Sequence, residues 1–345
     1  MRGCPAGEAA TGAAYDERVL VRLPTPPRSL RRTVALAAVV TQAGIAVTGS
    51  VVRVTGSGLG CPTWPRCFPG SLTPVPHEGV DTITQWVEFG NRLLTPLVGV
   101  VAVACLALAL LARRRRLVAL AAAMTIGTAL QAVVGGITVL TGLVWWTVAL
   151  HFLISMVLVW LAVLLVAAFG EGDAAPRWHV TTPLRALLAT ATAVLAALLV
   201  AGTLVTAAGP HAGDAATPRL DADIPTLVAL HSGMLVAYLG LLAGLGFALR
   251  AVGAAGVTRR RYGLLLAAVL AQGSLGAAQY ATGVPELLVS LHVLGAALVV
   301  VAMASLWAGS RDRGPVPAVT EAQPPGGVSV ARTAEANRNG APTSA

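Results

Sequence analysis

The chain has 345 residues, of which 56% are hydrophobic and only 11% are charged, and its mean hydropathy is +0.75. A soluble globular domain carries roughly a quarter charged residues, so this composition argues against a water-soluble enzyme and a disordered chain. The net charge of +9 suggests nucleic-acid binding. That class is excluded because the arginines stand in short clusters between long apolar runs and do not line one face. The sequence therefore predicts an integral protein of the lipid bilayer, with no nucleic-acid partner.

Eight apolar runs are long enough to cross a bilayer core, which requires about 20 apolar residues in a helix. These predicted spans are residues 33–54, 84–112, 117–141, 145–170, 184–208, 224–250, 262–282 and 285–308. Residues 1–32 are predicted to form a polar cytoplasmic tail, and residues 309–345 a disordered cytoplasmic tail. The first span is too long for a signal peptide and follows a long arginine-containing segment, so we do not expect its cleavage.

The arginines predict the orientation of the chain, because cytoplasmic loops of membrane proteins are enriched in them. Most precede span 1, follow span 8, or lie in the connections between spans 2 and 3, 4 and 5, and 6 and 7. The alternate loops contain only Arg66 and Arg219. We therefore expect both termini in the cytoplasm and loops 55–83 and 209–223 on the outer side.

An internal repeat relates spans 3 and 4 to spans 7 and 8. Gln131 precedes His151 by twenty residues, and Gln272 precedes His292 by the same twenty residues, at an offset of 141. Each half then contains four spans, which makes the repeats parallel and related by an axis along the membrane normal.

The predicted fold is accordingly an all-α integral membrane protein, with eight transmembrane helices arranged as two parallel four-helix-bundle repeats. Its predicted units are an N-terminal half of residues 33–170, a cytoplasmic linker of residues 171–183, and a C-terminal half of residues 184–308.

Three histidines lie inside the spans, each about six residues past the outer start of its helix: His151, His231 and His292. At ~1.5 Å per residue they are roughly 9 Å below the outer surface. Polar groups at such a depth are costly and are functional candidates. His231 and His292 belong to one half and can form an axial pair for haem iron in a four-helix bundle. The alternative is that each histidine only hydrogen-bonds a neighbour and serves packing. No spacing typical of zinc or non-haem iron sites accompanies them.

Span 2 carries two further polar residues at this level. Asn91 takes the place of His231 in the repeat, at an offset of 140, and Glu88 lies one turn above it on the same face. Glu88 either handles protons or stabilises charge beside a reacting cofactor. Alternatively, it anchors the helix at the outer interface and pairs with Arg92 or Arg53.

The outer loops contain the remaining candidates. Cys61 and Cys67 enclose five residues and are predicted to form a disulfide, because the outer side is oxidising. We expect this disulfide to be exposed, and it is either redox-active or a purely structural clip. His211 is a candidate for the lining of the second haem pocket.

Three motifs complete the pattern: Thr-Gly-Ser-Gly-Leu-Gly-Cys-Pro-x-Trp-Pro-x-Cys after span 1, Glu-Phe-Gly-Asn-Arg at the start of span 2, and Gly-Pro-His-Ala-Gly-Asp after span 5. Over residues 30–310 the chain thereby resembles bacterial haem A synthase. The resemblance implies an oxidoreductase of the bacterial plasma membrane that oxidises the C8 methyl group of haem O to the formyl group of haem A. It implies delivery of haem A to cytochrome c oxidase. Implied partners are haem O synthase, cytochrome oxidase assembly proteins, and quinol or another electron donor.

The resemblance also implies residue roles. In the C-terminal half, His231 and His292 hold a haem b cofactor. In the N-terminal half, Asn91 and His151 belong to the haem O pocket, His151 binds the substrate iron, and Glu88 and His151 are catalytic. The family's outer cysteine pair, implicated in electron or haem transfer, corresponds to Cys61 and Cys67.

The chain departs from the family pattern at Asn91, where the family has a histidine. An amide is a poor iron ligand, so His151 would hold the substrate iron alone. Either the open coordination position serves the oxygen chemistry, or the chain is a divergent or impaired member.

Two other functions compete with this interpretation. A membrane b-type cytochrome that relays electrons between quinol and a partner explains the histidine pair but gives Glu88 and the cysteine loop no task. A haem or small-solute transporter explains the duplication but not the confinement of the ligands to one side. Chemical alteration of the bound tetrapyrrole separates the synthase from both.

Overall fold

The computed structural model describes residues 25–316, which form eight long helices and one pair of two-residue strands. The elements are α1 (Arg28–Val54), α2 (Thr82–Leu111), α3 (Arg115–Leu140), α4 (Trp145–Gly170), β1 (Arg177–Trp178), α5 (Thr182–Ala208), α6 (Ile224–Ala251), α7 (Gly256–Ala281), α8 (Glu286–Gly309) and β2 (Arg311–Asp312). All eight helices are long and apolar enough to cross a membrane. The predicted all-α membrane fold with eight spans is confirmed. The predicted tails fall largely in residues 1–24 and 317–345, outside the described residues.

Short left-handed turns join the helices at corresponding places in the two halves. Gly142 and Leu143 connect α3 to α4 with φ angles of 69° and 60°, and Gly283 and Val284 connect α7 to α8 with 79° and 60°. Glycine adopts this conformation without strain, whereas Leu143 and Val284, which carry side chains, adopt it at a cost in free energy. Such tight connections make the joined helices antiparallel neighbours.

The even-numbered helices therefore begin at one end of the bundle, which we call the Cys61 end. It contains the connecting residues 55–81, 141–144, 209–223 and 282–285. The opposite end, which we call the Arg114 end, contains residues 112–114, 171–181, 252–255 and 310–316.

The helices of the two halves pack differently. In the first half α1 and α3 each contact both α2 and α4, so the four helices form a closed ring. In the second half α5 packs closely on α6 and α7 on α8, but few contacts join these two pairs. The halves meet where α8 packs against α1 and α4. The second half is therefore the more open of the two.

Buried apolar side chains fill each half towards the Arg114 end. The cluster of the first half includes Ala38, Cys105, Met124 and Leu165, and that of the second includes Leu195, Tyr238, Leu265 and Met303. A smaller cluster lies between the halves, around Val159 and Val300. Within residues 25–316, no cluster of comparable size fills either half at the Cys61 end. This leaves the region where the spans carry their polar residues without a packed apolar core.

Ion pairs and backbone hydrogen bonds tie the chain together at the Arg114 end. Arg114 donates to both carboxylate oxygens of Asp173, at 2.6 and 2.8 Å, and to the backbone oxygen of Glu171. The hydrogen bond from Arg114 is the main cause that holds the pKa of Asp173 below its ordinary value. β1 pairs with β2 in an antiparallel register. Residues 310–316, which the sequence assigns to the C-terminal tail, thus lie against the linker.

Candidate functional site

The three intramembrane histidines lie at one level near the Cys61 end. His151 follows the start of α4 by six residues, His231 follows the start of α6 by seven, and His292 follows the start of α8 by six. With a rise of ~1.5 Å per residue, each is about 9–10 Å from the first residue of its helix. Asn91 on α2 is somewhat deeper, nine residues after Thr82.

Each of these partly buried histidines has one buried ring nitrogen without a partner. The Nδ1 atoms of His151, His231 and His292 have no hydrogen-bond partner. The backbone oxygen of Leu198 on α5 lies near the His231 ring but forms no hydrogen bond with Nδ1. A buried polar atom without a partner costs free energy, which is unexpected for a histidine that serves only packing. Unpaired imidazole nitrogens in a space without a packed core fit the ligand set of a haem iron.

A glycine on the preceding helix lies directly against each ring. Cβ atoms added at Gly135, Gly202 and Gly276 would lie 3.3, 3.1 and 2.9 Å from the Cε1 atoms of His151, His231 and His292, respectively. A side chain at any of these positions would push on the imidazole. The three glycines therefore allow the rings to pack against the helix backbone.

A glutamine holds the backbone of two of the histidines in the same way in both halves. Gln131 Nε2 donates to the backbone oxygen of His151 at 2.8 Å, and Gln272 Nε2 donates to that of His292 at 2.8 Å. Gln131 also donates to Ser155 Oγ at 2.6 Å. These are the Gln–His pairs that the sequence repeat singles out.

His231 and His292 occupy the second half, on helices from the two loosely connected pairs. A flat ligand bound by both histidines would therefore lie between these two helix pairs. Among the described residues, no group of three or more His, Cys, Asp or Glu side chains is placed to hold a bare metal ion.

Asn91 does not offer a free ligand atom of the kind a histidine would. Thr48 Oγ1 on α1 donates to Asn91 Oδ1 at 2.7 Å, so α1 orients the amide. In the first half, His151 is then the imidazole available at this level.

Glu88 is buried and has partners for both of its oxygens. Oε2 accepts a hydrogen bond of 2.7 Å from the backbone N–H of Cys61, and Oε1 forms an ion pair with Arg92. This is the pairing that the sequence offers as the alternative to a catalytic role. Arg53, the other candidate partner, donates instead to the backbone oxygen of Thr206 at 2.8 Å.

Cys61 and Cys67 form the predicted disulfide. Both cysteines are completely buried, so the expectation of an exposed disulfide is wrong. The reason is that Glu88 and Arg92 bind the backbone around Cys61 and draw the loop onto α2. Phe68 packs with the two cysteines in a small apolar cluster.

Two contacts of the cysteine loop are not foreseen in the sequence. Arg92 donates to the backbone oxygen of Thr63 at 2.7 Å, and the indole of Trp64 lies against Gly136 of α3. The spacing of Glu88 and Arg92, one helical turn apart, signals their ion pair but not the contact of Arg92 with Thr63. No sequence pattern signals the second.

Loops of the two halves also contact each other at the Cys61 end. Gly58 N donates to the backbone oxygen of Gly213 at 2.8 Å. His211 Nε2 lies 2.9 Å from the backbone oxygen of Val284, so this nitrogen carries the proton and donates. His211 thus binds the turn that precedes α8, and its predicted place in the lining of a haem pocket stays a prediction.

Comparison with known proteins identifies the family. A family model described as "Cytochrome oxidase assembly protein", COX15-CtaA, matches residues 32–304. The chain belongs to the COX15-CtaA family. Because the chain has eight apolar helices and belongs to this family, it is a multi-pass membrane protein.

Proteins with curated names match parts of the chain. A "Heme A synthase" of Alkalihalophilus pseudofirmus is 32% identical over 161 residues, which cover 45% of this chain and 51% of that protein. Proteins of the same name from Geobacillus thermodenitrificans and Geobacillus kaustophilus are each 39% identical over 49 residues, or 14% of either chain. The chain thus spans about half, or less, of the length of the curated relatives that it matches.

Proposed function

We propose that the protein is a haem A synthase, which oxidises the C8 methyl group of haem O through a hydroxymethyl group and a gem-diol. Loss of water from the gem-diol leaves the formyl group of haem A. The observation that carries the proposal is the set of three histidines at one level, each with a buried, unpaired Nδ1 atom, two in one half and one in the other. The relatives named "Heme A synthase" support it.

The C-terminal half, residues 184–308, is the proposed cofactor site. His231 and His292 would hold haem b there, and this cofactor supplies one-electron transfer when bound. The openness between α5–α6 and α7–α8 and the absence of a packed core at the Cys61 end of this half support a macrocycle between them. Gly202 and Gly276 give both rings room to turn towards it.

The N-terminal half, residues 33–170, is the proposed haem O site. His151 binds the substrate iron from one side, and Asn91, held by Thr48, faces the pocket without binding iron. His151 and Glu88 are the proposed catalytic residues. Given its contacts, Glu88 acts by fixing the cysteine loop over this half and by keeping a buried negative charge beside it.

The site faces the outside of the bacterial plasma membrane in this proposal. The arginine distribution supports a cytoplasmic position for both termini and the Arg114 end, and an outer position for the Cys61 end. Haem O synthase would supply the substrate, and cytochrome oxidase and its assembly proteins would take the product. In each of the two hydroxylations, one atom of O2 would enter a C–H bond and the other would leave as water, with two electrons and two protons supplied by quinol or another donor.

The first test is to purify the protein from cells that supply haem O and to identify the extracted haems by chromatography and mass spectrometry. Haem B together with haem O, its hydroxylated form or haem A would support the proposal. Haem B alone, with haem O available, would indicate an electron-relaying b-type cytochrome instead. Extraction without any haem would overturn both assignments and return the histidines to a packing role.

A matched variant controls for haem that adheres to the apolar surface. His179→Ala changes an exposed histidine at the Arg114 end, and the backbone hydrogen bond from its N–H to Ser310 does not depend on the side chain. It should yield the same haems as the unchanged chain. The double variant H231A/H292A should yield no haem B if the histidine pair holds the cofactor.

A further inference from the structure

Trp64 of the cysteine loop and His151 contact neighbouring residues of α3. A Cβ added at Gly136 of α3 would lie 2.6 Å from Cδ2 of the Trp64 indole. The preceding residue, Gly135, is the one that packs against the His151 ring. Two consecutive residues of one helix therefore contact the indole and the imidazole.

Arg92 holds the backbone of Trp64 from the side of α2. It donates to the backbone oxygens of Thr63 at 2.7 Å and of Cys61 at 2.6 Å, and it directly follows Asn91 in the chain. The backbone before Trp64 is thus bound by the residue that follows Asn91 on α2, while the indole lies against Gly136 on α3. Trp64 spans these two helices at the Cys61 end of the first half.

Packing within the cysteine loop does not cover the Trp64 indole. The cysteine cluster of the loop is made by Cys61, Cys67 and Phe68, with Val75 and Phe89 against it, and Trp64 is not part of it. Trp64 keeps 38% of its surface exposed, whereas Gly136 beneath it is buried. One surface of the rigid Trp64 indole packs on α3, and the rest of the ring is accessible to another molecule.

We propose that Trp64 is a substrate-contacting residue, whose indole forms a wall of the first-half pocket and packs against the haem O macrocycle beside His151. This inference rests on the proposed function. A flat apolar ring presents a large contact surface at little conformational cost, and a porphyrin is a matching flat apolar partner. Trp64 then determines how tightly haem O is held, and the ion pair of Arg92 with Glu88 positions it.

The test uses the purified full-length protein in lipid nanodiscs, titrated with haem O and assayed for turnover. Trp64→Ala should raise the Kd and KM for haem O by about tenfold or more with little change in kcat, because the lost contact is present before and during reaction. Trp64→Phe should retain most of the affinity, since it keeps an aromatic face. The haem b absorbance of the C-terminal half should be equal in all variants.

A glycine pair provides the matched control. Gly136→Ala should weaken haem O binding as W64A does, because the new Cβ displaces the indole. Gly99→Ala on α2 adds a Cβ with nothing within 4 Å and should behave as the unchanged chain. Alkylation of free thiols reports whether the Cys61–Cys67 disulfide survives in each variant.

Unchanged haem O affinity in W64A, an equal loss in G99A, or free thiols that accompany the loss would overturn the inference. In each of these cases, turnover of haem O by the unchanged chain would still support the proposed function. Failure of the unchanged chain to bind haem O would overturn the proposed function and the inference with it.

Discussion

The carboxylate of Glu88 on α2 accepts a hydrogen bond from the backbone N–H of Cys61, with 2.7 Å between Oε2 and N. Its other oxygen pairs with Arg92, which itself binds the backbone oxygens of Cys61 and Thr63. A charged pair in the first three turns of α2 thus binds the backbone of the loop that contains the disulfide. Burial of the cysteines follows from this arrangement, because the loop is drawn against the helix.

Exchange of Glu88 for glutamine should lower turnover without loss of haem b. The amide retains an oxygen for the Cys61 N–H but removes the charge that pairs with Arg92. Loss of one partner from a buried ion pair costs about 3 kcal/mol. We expect faster hydrogen exchange of the amides in residues 60–67, together with slower product formation.

Arg92→Gln separates positioning from proton transfer. If Glu88 acts by fixing the loop, R92Q lowers turnover as much as E88Q does. The turnover of the double variant is then no lower than that of the slower single variant. If E88Q alone lowers turnover and hydrogen exchange is unchanged, Glu88 acts on protons. Normal turnover in E88Q would leave it as an interface anchor.

His151→Ala should reduce product formation to background while the haem b absorbance remains. The reason is that His151 is the imidazole of the first half, whereas His231 and His292 belong to the second. The reciprocal variant, His292→Ala, should lose the haem b absorbance. Product formation by H151A would contradict the assignment of the substrate half.

The pair of Arg114 and Asp173 predicts a pH dependence of stability at the other end of the bundle. Its hydrogen bond lowers the pKa of Asp173 in the folded protein. A lowered folded pKa means that the stabilisation is present above the unfolded pKa, about 3.9, and is lost as the pH falls through the folded pKa. Asp173→Asn should therefore lower the thermal midpoint at pH 7 and flatten its fall below about pH 4.

Asp221→Asn is the control for this prediction, because Asp221 is an exposed carboxylate of the loop before α6. Thermal midpoints of D221N in detergent should follow those of the unchanged chain at each pH. Equal midpoints for D173N and the unchanged chain at pH 7 would show that the pair with Arg114 contributes no net stability.

The spans and the level of the histidines could be predicted from sequence because both depend on local patterns. A helix must be apolar over its membrane-crossing length, and the twenty-residue Gln–His spacing recurs in both halves. The hydrogen bond from each glutamine to its histidine gives this spacing a physical reason.

The course of the cysteine loop could not be predicted in this way. Arg92 meets Thr63, and Trp64 meets Gly136, across 29 residues in the first case and across two helices in the second. Such contacts depend on how an irregular segment folds back, for which no periodic pattern exists. The burial of the disulfide could not be predicted from the sequence for the same reason.

Asn91→His tests whether the departure from the family pattern is functional. The amide is held by Thr48, and a histidine in its place would offer a second imidazole to the substrate iron. If the reaction uses the open coordination position, N91H should bind haem O more tightly, convert its iron from high-spin to low-spin, and form product at least about tenfold more slowly.

Asn91→Ala distinguishes the effect of a blocked coordination position on the substrate iron from the effect of losing the amide. It removes the Thr48 partner without adding a ligand, so it should keep the high-spin signal and most of the turnover. Faster product formation by N91H than by the unchanged chain would mean that the asparagine impairs this member. Equal loss in N91A and N91H would assign the role to the amide itself, because only the missing amide is common to both variants.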